Sequence, residues 1–201
     1  MGNRELGIGK NQSTNLPISE HSNVPIFKPV NVSEQFTSEL TTLGGTVIPC
    51  AVGELPQALT RLLRQREAMQ VFVDSFGAES LPAGFESVRE ADPSIKIGLT
   101  GCAAGIANTG TVVLLDEGET LKASLLPETH LVILRASQLV ADLPEALTKT
   151  REAANAVLVS GPSRTADIEM TLTIGVHGPK EIIVFLVHGT ASTLVDDSKS
   201  G

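Results

Sequence analysis

The sequence predicts a single-domain α/β protein with a mostly parallel, mixed sheet and helices on both faces. Short apolar runs without alternation, such as Ile95–Leu99 and Glu181–Val187, are typical of strands that are buried on both sides. Stretches with apolar residues at helical spacing, such as Glu54–Arg66, lie between such runs. Strands that alternate with helices in this way favour a parallel sheet covered on both faces. A chain of 201 residues suits one such domain.

The amino-terminal half alternates helices with strands after a polar start. Residues 1–30 are rich in polar residues, contain three prolines and lack periodicity, which predicts a flexible tail. The α/β domain is expected over residues 31–195. Its first helices and strands are predicted, in chain order, at Val32–Leu43 (helix), Thr46–Ala51 (strand), Glu54–Arg66 (helix) and Gln70–Asp74 (strand). Residues 75–94 are mixed in character and are expected to form a loop with some helix.

The carboxyl-terminal half continues the pattern with more turns. No clear helix separates the strands that begin at Thr111 and His130, so we expect these two to pair antiparallel and to make the sheet mixed. Residues 196–201 are expected to form a frayed tail. The predicted elements, in chain order, are Ile95–Leu99 (strand), Gly101–Ala107 (turn or short helix), Thr111–Leu115 (strand), Asp116–Gly118 (turn), His130–Arg135 (strand), Ala141–Glu152 (helix), Val157–Ser160 (strand), Thr165–Ile174 (helix) and Glu181–Val187 (strand).

Composition and charge exclude several classes of function. A net charge of −8 and an aromatic content of 3% argue against a nucleic-acid partner. No segment approaches the roughly 20 apolar residues of a membrane span, and no apolar leader follows Met1, so a cytoplasmic location is expected. The two cysteines, Cys50 and Cys102, are too few to ligate an iron–sulfur cluster. Since no His-x-x-x-His or Cys-x-x-Cys spacing occurs, no metal site is predicted.

The most informative segment, Ser160–Pro179, lies between the last two apolar runs. The expected helix would begin after a glycine–proline pair, with Ser163 or Thr165 as its cap. Amides at the start of such a helix, together with hydroxyls and the Arg164 guanidinium, could hold a phosphate or a carboxylate. The ligand-binding residues predicted in this segment are Ser160, Gly161, Ser163, Arg164 and Thr165.

Asp167, Glu169 and His177 are the candidate catalytic residues. The two acids also have a structural explanation, because they would lie in the first turn of the helix, where its dipole favours negative charge. Residues two apart on a helix point about 200° apart, so these acids do not form a paired-carboxylate site. His177 lies between glycines, where it could transfer protons or cap a turn. His130, at the start of a strand, has the same two explanations.

A second segment of small residues, Gly98–Thr111, also follows a strand and leads into another. Its glycines let the backbone approach a neighbour or a ligand closely. A tightly packed turn explains the same composition, and glycine richness alone is a weak signal. Two such turns after two strands of one sheet can line a shared cleft at the strand ends. The ligand-binding residues predicted in this segment are Thr100, Gly101, Asn108, Thr109, Gly110 and Thr111.

Three blocks of sequence resemble the LUD-domain (lactate utilisation) family, and within it the type C proteins. They occur in the family's order, cover about residues 95–187, and the third is the specific one. In the family an acid usually stands where this chain has Asn108, which implies altered chemistry if that acid takes part in the reaction. The blocks read Gly98-Leu-Thr-Gly-Cys with Ile106-Ala-Asn-Thr-Gly-Thr111, Ser124-Leu-Leu-Pro with His130, and Ser160-Gly-Pro-Ser-Arg-Thr-Ala-Asp-Ile-Glu169 with Gly175-Val-His-Gly-Pro179.

The resemblance implies a fold similar to the sugar-phosphate isomerase and CoA-transferase group. It also implies a role in oxidising L-lactate to pyruvate, as a subunit without a cluster beside partners that carry iron–sulfur clusters. No cofactor is then expected on this chain, which would bind a small anion, a nucleotide-like ligand or its redox partners. Two alternatives stay open: a stand-alone transferase or ligase for a CoA- or folate-like substrate, and a purely structural interaction module. Whether the chain is itself catalytic is left open as well.

Overall fold

The computed structural model describes residues 31–90, 92–115, 118–151, 153, 155–166, 172–174 and 178–189. The tails predicted at 1–30 and 196–201 lie outside these residues. The described helices are α1 (Val32–Thr42), α2 (Leu55–Gln65), α3 (Ser75–Ser80), α4 (Glu119–Leu125) and α5 (Leu143–Lys149). The described strands are β1 (Thr46–Ala51), β2 (Gln70–Val73), β3 (Glu86–Val88), β4 (Ile97–Thr100), β5 (Ala104–Ile106), β6 (Thr111–Leu115), β7 (Thr129–Arg135), β8 (Leu139–Val140), β9 (Ala156–Val159), β10 (Arg164–Ala166), β11 (Leu172–Ile174) and β12 (Glu181–His188).

A six-stranded sheet forms the centre of the fold, with strand order β1-β12-β7-β4-β2-β3. Every neighbouring pair in it is parallel. The central strands β7 and β12 are apolar on both faces, as in Leu131–Leu134, where each residue is at most 2% exposed. Such strands are stable only when both faces are covered, and the predicted parallel sheet is confirmed.

The two faces of this sheet are covered differently. One face packs against α2, where Leu59 and Leu63 contact the core around Phe185. The other face packs against α1, which buries Phe36 and Leu40 from a single side of the helix. Helices on both faces were predicted and are present. On the α1 side the small second sheet adds further cover.

The second sheet has four strands in the order β8-β5-β6-β9 and is mixed. β6 pairs antiparallel with β5 and β9, whereas β5 pairs parallel with β8. The predicted antiparallel pairing of the Thr111 and His130 strands is therefore wrong, because β6 lies in this sheet and β7 in the central one. The main sheet is purely parallel, and the second sheet combines parallel and antiparallel pairs.

Helix α4 was not predicted, because it lacks a stripe of large apolar residues. The side chains that it buries are small and include Ala123 and Ser124. These let the helix lie directly on β4, where a Cβ at Gly98 would overlap the Ala123 carbonyl oxygen. Close approach of two backbones, rather than a hydrophobic stripe, holds α4 in place.

Two further stretches form strands where turns or loops were expected. Within Gly101–Ala107, predicted as a turn or short helix, residues 104–106 form β5, and a 3₁₀ turn follows at Ala107–Thr109. Gly105 suits this strand, since a Cβ there would lie 2.6 Å from Leu134 Cδ2. Residues 86–88 of the predicted 75–94 loop form β3 at the sheet edge.

The helix predicted at Thr165–Ile174 is also wrong. Residues 164–166 and 172–174 form β10 and β11, which pair antiparallel with Arg164 opposite Ile174. Thr165 stands opposite Thr173, and β-branched residues of this kind favour strands over helices. The described residues after Ser163 therefore offer no helix start, so the expected caps and helix amides do not exist there.

Candidate functional site

The chain leaves the neighbouring strands β2 and β4 in opposite directions across the main sheet. From β2 it continues to β3 at the nearer edge, whereas from β4 it continues to β7 and then β12. Ligands of open parallel sheets usually bind in the crevice outside the carboxyl ends of two such strands. A cavity of about 180 Å³ lies here, which we call the strand-end crevice. Its lining residues are Asp74, Phe76, Gly101, Cys102, Ala103, Leu115, Thr120, Ile133, Arg135 and Gln138.

Asp74 directly follows β2 and is 6% exposed. Its Oδ1 accepts a hydrogen bond from Gly77 N at 2.6 Å, which caps α3. Its Oδ2 accepts from Gly101 N at 3.3 Å and from Thr120 Oγ1 at 3.2 Å. The carboxylate thus joins α3, the end of β4 and α4. With three donors already bound, it acts as a structural part of the crevice wall.

Arg135 supplies the positive charge of the crevice. It ends β7, its side chain is exposed, and its guanidinium lies 4.9 Å from the centroid of the Phe76 ring. Stacking on an aromatic ring holds the guanidinium without using its N–H donors. Among the described residues no carboxylate pairs with it. Arg135 can therefore bind a carboxylate or phosphate in the crevice.

Gln138 ties the turn after β7 to the turn after β4. Its Oε1 accepts from Arg135 N at 2.8 Å, and its Nε2 donates to Cys102 O at 2.6 Å. The Cys102 thiol in turn donates to Ile133 O at 3.5 Å. Burial raises the pKa of Cys102 to about 12, with Arg135 opposing and Asp74 adding to the shift. At neutral pH this residue is a thiol and not a nucleophilic thiolate.

A second cavity, of about 210 Å³, lies beside the amino-terminal halves of β7 and β12, and we call it the His130 cavity. It is far along these strands from the crevice at their carboxyl ends. Its described lining contains no charged side chain. The lining residues are Ser124, Leu125, His130, Val157, Leu158, Val159, Ser160, Gly161, Ser163, Gly178, Pro179 and Ile182.

His130 is completely buried in the wall of this cavity. Its Nε2 lies 2.9 Å from Thr100 Oγ1 on the adjacent strand. Burial lowers the pKa of His130 to about 3, so the imidazole is neutral at physiological pH. Its other ring nitrogen, Nδ1, has no hydrogen-bond partner in the described structure.

His130 is expected to make the fold sensitive to acid. Its pKa is lowered from 6.5 to about 3, so between these values the unfolded chain binds a proton that the folded chain does not. The free energy of unfolding should therefore fall as pH drops below about 6.5, by up to about 1.4 kcal/mol per pH unit from this residue. Urea unfolding between about pH 5 and about pH 7 measures this slope. His130→Gln should reduce it, while the same change at the exposed His188 should leave it unchanged.

Three of the predicted hydroxyl residues come together, but they do so away from the strand-end crevice. Thr111 Oγ1 lies 2.8 Å from Thr109 Oγ1 and 2.7 Å from Ser160 Oγ, which joins the first and third sequence blocks. Of the predicted residues, Gly101 lines the crevice, whereas Ser160, Gly161 and Ser163 line the His130 cavity. The expected single cleft is thus divided between two cavities in the described part of the chain.

Other predicted ligand residues have structural contacts. Arg164 Nη2 donates to Leu43 O at 2.6 Å and so caps the carboxyl end of α1. Gly110 has a φ of +59° and packs against the backbone of the same helix. Asn108 is exposed, and its backbone N–H donates to Ala141 O at 3.2 Å. These contacts explain Arg164 and Gly110 without a ligand, and the binding roles of all three residues stay predictions.

Asp167, Glu169 and His177 lie outside the described residues, so their catalytic roles stay predictions. The sequence reasoning missed Asp74, Arg135 and Gln138, which build the strand-end crevice. Asp74 and Arg135 follow directly on apolar runs, which was an available signal. The described residues contain no group of three metal-ligating side chains and no helix that could cross a bilayer.

Comparisons with known proteins agree over most of the chain. A family model described as the LUD domain matches residues 35–187. Lactate utilization protein C of Deinococcus radiodurans is 30% identical over 181 residues, covering 81% of this chain and 84% of that protein. The protein of the same name from Halalkalibacterium halodurans is 34% identical over 212 residues, covering 89% of this chain and 87% of that protein. The crystal structure of a DUF162 family protein from Deinococcus radiodurans has a similar fold, with a TM-score of 0.63 at 23% identity, covering 79% of this chain and 96% of that one.

Proposed function

From the premise that this chain belongs to the LUD-domain family, we propose that it is the subunit without a cluster in a cytoplasmic system that oxidises L-lactate to pyruvate. The observation that carries the proposal is similarity to two proteins named lactate utilization protein C along more than four-fifths of their length. Partners with iron–sulfur clusters would take the electrons, because two cysteines are too few for a cluster here. Co-purification tests this role.

In that experiment the tagged chain is isolated from its source organism grown on L-lactate. Iron- and sulfide-containing proteins should be retained with it, and they should be absent from preparations of an unrelated tagged protein. Recovery of the chain alone from lactate-grown cells, under conditions in which the iron–sulfur proteins are abundant, would contradict the proposal.

We further propose that the strand-end crevice binds the small carboxylate of this system. Support comes from its place at the switch point of the sheet and from the Arg135 guanidinium, which has no described anionic partner. A bidentate hydrogen bond to a carboxylate would suit this side chain. Arg164, the anion ligand favoured on sequence grounds, is instead bonded to Leu43 O.

Arg135→Gln is expected to weaken carboxylate binding by about tenfold or more, because it removes a charged hydrogen bond worth roughly 1.5–3 kcal/mol. Titration calorimetry of the purified chain with L-lactate and pyruvate measures this change. Arg64→Gln, on the exposed side of α2, is the matched control and should bind like the unmodified chain. Equal affinities for all three proteins would exclude Arg135 as the anion ligand.

A further inference from the structure

Arg135 combines a fixed backbone with an exposed side chain. Its backbone N–H donates to Gln138 Oε1 at 2.8 Å, and the residue pairs with Val187 in the register of β7 and β12. The guanidinium, by contrast, makes no hydrogen bond or ion pair with any described residue. A long side chain that moves in this way must give up rotamer freedom when it binds an anion, and this loss weakens binding.

The ring of Phe76 is the described group that restrains the guanidinium. The Arg135 Cζ atom lies over this ring, 4.9 Å from its centroid. At such a distance the cation is attracted to the negative face of the ring, and its N–H donors stay available for a ligand. The ring can therefore order the guanidinium before an anion arrives, so that less freedom is lost on binding.

Phe76 is held in its own place by the start of α3. It is the second residue of this helix, and Asp74 caps the helix by accepting from Gly77 N at 2.6 Å. The Phe76 side chain is half-buried and packs against the core cluster that includes Leu99 and Ile133. The ring is thus anchored by the core on one side, and only its outer part is available to Arg135.

Gly101 leaves the space that the ring fills. A Cβ at this position would lie 2.7 Å from Phe76 Cδ1 and 2.9 Å from Phe76 Cγ, so the ring packs directly on the glycine backbone. The Gly101 N–H donates to Asp74 Oδ2 at 3.3 Å, which ties the glycine to the residue that caps α3. Any side chain at position 101 would displace the ring. This packing explains why the first sequence block has a glycine there.

We propose that Phe76, packed on Gly101, is the positioning residue for Arg135 in carboxylate binding. This inference rests on the proposed role of the strand-end crevice. Phe76 acts through the guanidinium, which is the group that bonds the carboxylate. Gly101, a ligand-binding residue on sequence grounds, acts through the ring of Phe76.

The first experiment is NMR of the full, ligand-free chain labelled with ¹⁵N at arginine. Protons above an aromatic face resonate upfield, so the Nε–H signal of Arg135, assigned with Arg135→Gln, should be shifted upfield. Phe76→Leu and Gly101→Ala should each move it back toward the position of an exposed arginine, whereas Phe76→Tyr should keep the shift. Phe85→Leu is the matched control, since Phe85 packs against the same core cluster without lining the crevice, and it should leave the signal in place. A signal that stays unmoved in Phe76→Leu would overturn the proposal.

The second experiment is a double-mutant cycle by titration calorimetry with L-lactate and pyruvate. Phe76→Leu should raise the dissociation constant about two- to fivefold, the size of an exposed cation–π contact, and Phe76→Tyr should restore the affinity. In the Arg135→Gln background Phe76→Leu should have no further effect, because the group through which Phe76 acts is gone. An equal loss in both backgrounds would contradict a positioning role, since Phe76 would then act independently of Arg135.

These measurements separate the inference from the proposal on which it rests. If the unmodified chain binds neither acid, the carboxylate role of the crevice is wrong, and the role of Phe76 in binding falls with it. If the unmodified chain binds and Arg135→Gln does not, but Phe76→Leu binds like the unmodified chain, only the positioning role is wrong.

Discussion

Gly110→Ala is expected to lower the free energy of unfolding by about 3 kcal/mol, the sum of backbone strain and overlap with a neighbouring helix. The residue has a φ of +59°, which L side chains rarely adopt. An added Cβ would overlap Leu40 N and lie 2.7 Å from Leu40 Cα. Since the buried Phe36 and Leu40 fix α1 in the core, the helix backbone cannot move away from the added Cβ. Urea unfolding followed by circular dichroism measures the loss.

Gly84→Ala is the matched control for this change. Gly84 has a φ of +94° with no atom within 4 Å of the added Cβ, so it carries backbone strain without overlap. Gly84→Ala should lower the free energy of unfolding by only about 1 kcal/mol. Equal losses at the two positions would show that close packing against α1 is not what requires glycine at 110. A larger loss at Gly110 explains this predicted ligand residue by packing alone.

Asp74→Ala is expected to lower the free energy of unfolding by about 3 kcal/mol, because it removes a helix cap and leaves buried donors unpaired. Three groups bond this carboxylate, namely Gly77 N, Gly101 N and Thr120 Oγ1. The change should also loosen the turn after β4 and so disturb the strand-end crevice. Hydrogen exchange at the Gly101 amide, together with urea unfolding, measures both effects.

Asp142→Ala provides the comparison, since Asp142 caps α5 through one exposed bond to Glu145 N of 3.0 Å. Loss of an exposed cap of this kind costs about 1 kcal/mol. If the two variants are equally stable, Asp74 acts as an ordinary cap, and its bonds to Gly101 and Thr120 contribute nothing measurable.

The central sheet could be predicted because its strands carry their own signal. β7 and β12 are continuous apolar runs, and only a strand buried on both faces suits such a sequence. The amphipathic helices α1 and α2 were equally visible, since their buried residues recur at helical spacing. In these elements local sequence and tertiary environment favour the same structure.

The wrong predictions fall where tertiary contacts decide. Helix α4 and strand β5 are built from small residues, so their position depends on close backbone approach at Gly98 and Gly105. Pro162, Ser163 and the later acids Asp167 and Glu169 resemble a helix start in the sequence. Pairing of Arg164–Ala166 with Leu172–Ile174 outweighs this local signal.

The candidate site was only partly predictable for a similar reason. The sequence marks polar residues after strands as candidates, but which strands are neighbours depends on sheet order. That order places Asp74 and Arg135 beside Gly101, although positions 74 and 135 lie 61 apart in the sequence. No local pattern reveals such a convergence. The His130 cavity likewise requires β7, β9 and α4 to be placed first.

L-lactate oxidation in the source organism tests the central claim most directly. A strain that lacks the gene is complemented with the unmodified chain, Arg135→Gln or Arg64→Gln, and the rate of pyruvate formation is measured at equal protein levels. Deletion should abolish the activity, the unmodified chain and Arg64→Gln should restore it, and Arg135→Gln should restore about a tenth or less, because a charged hydrogen bond to the carboxylate is lost. Full lactate oxidation without the gene, or full restoration by Arg135→Gln, would contradict the account.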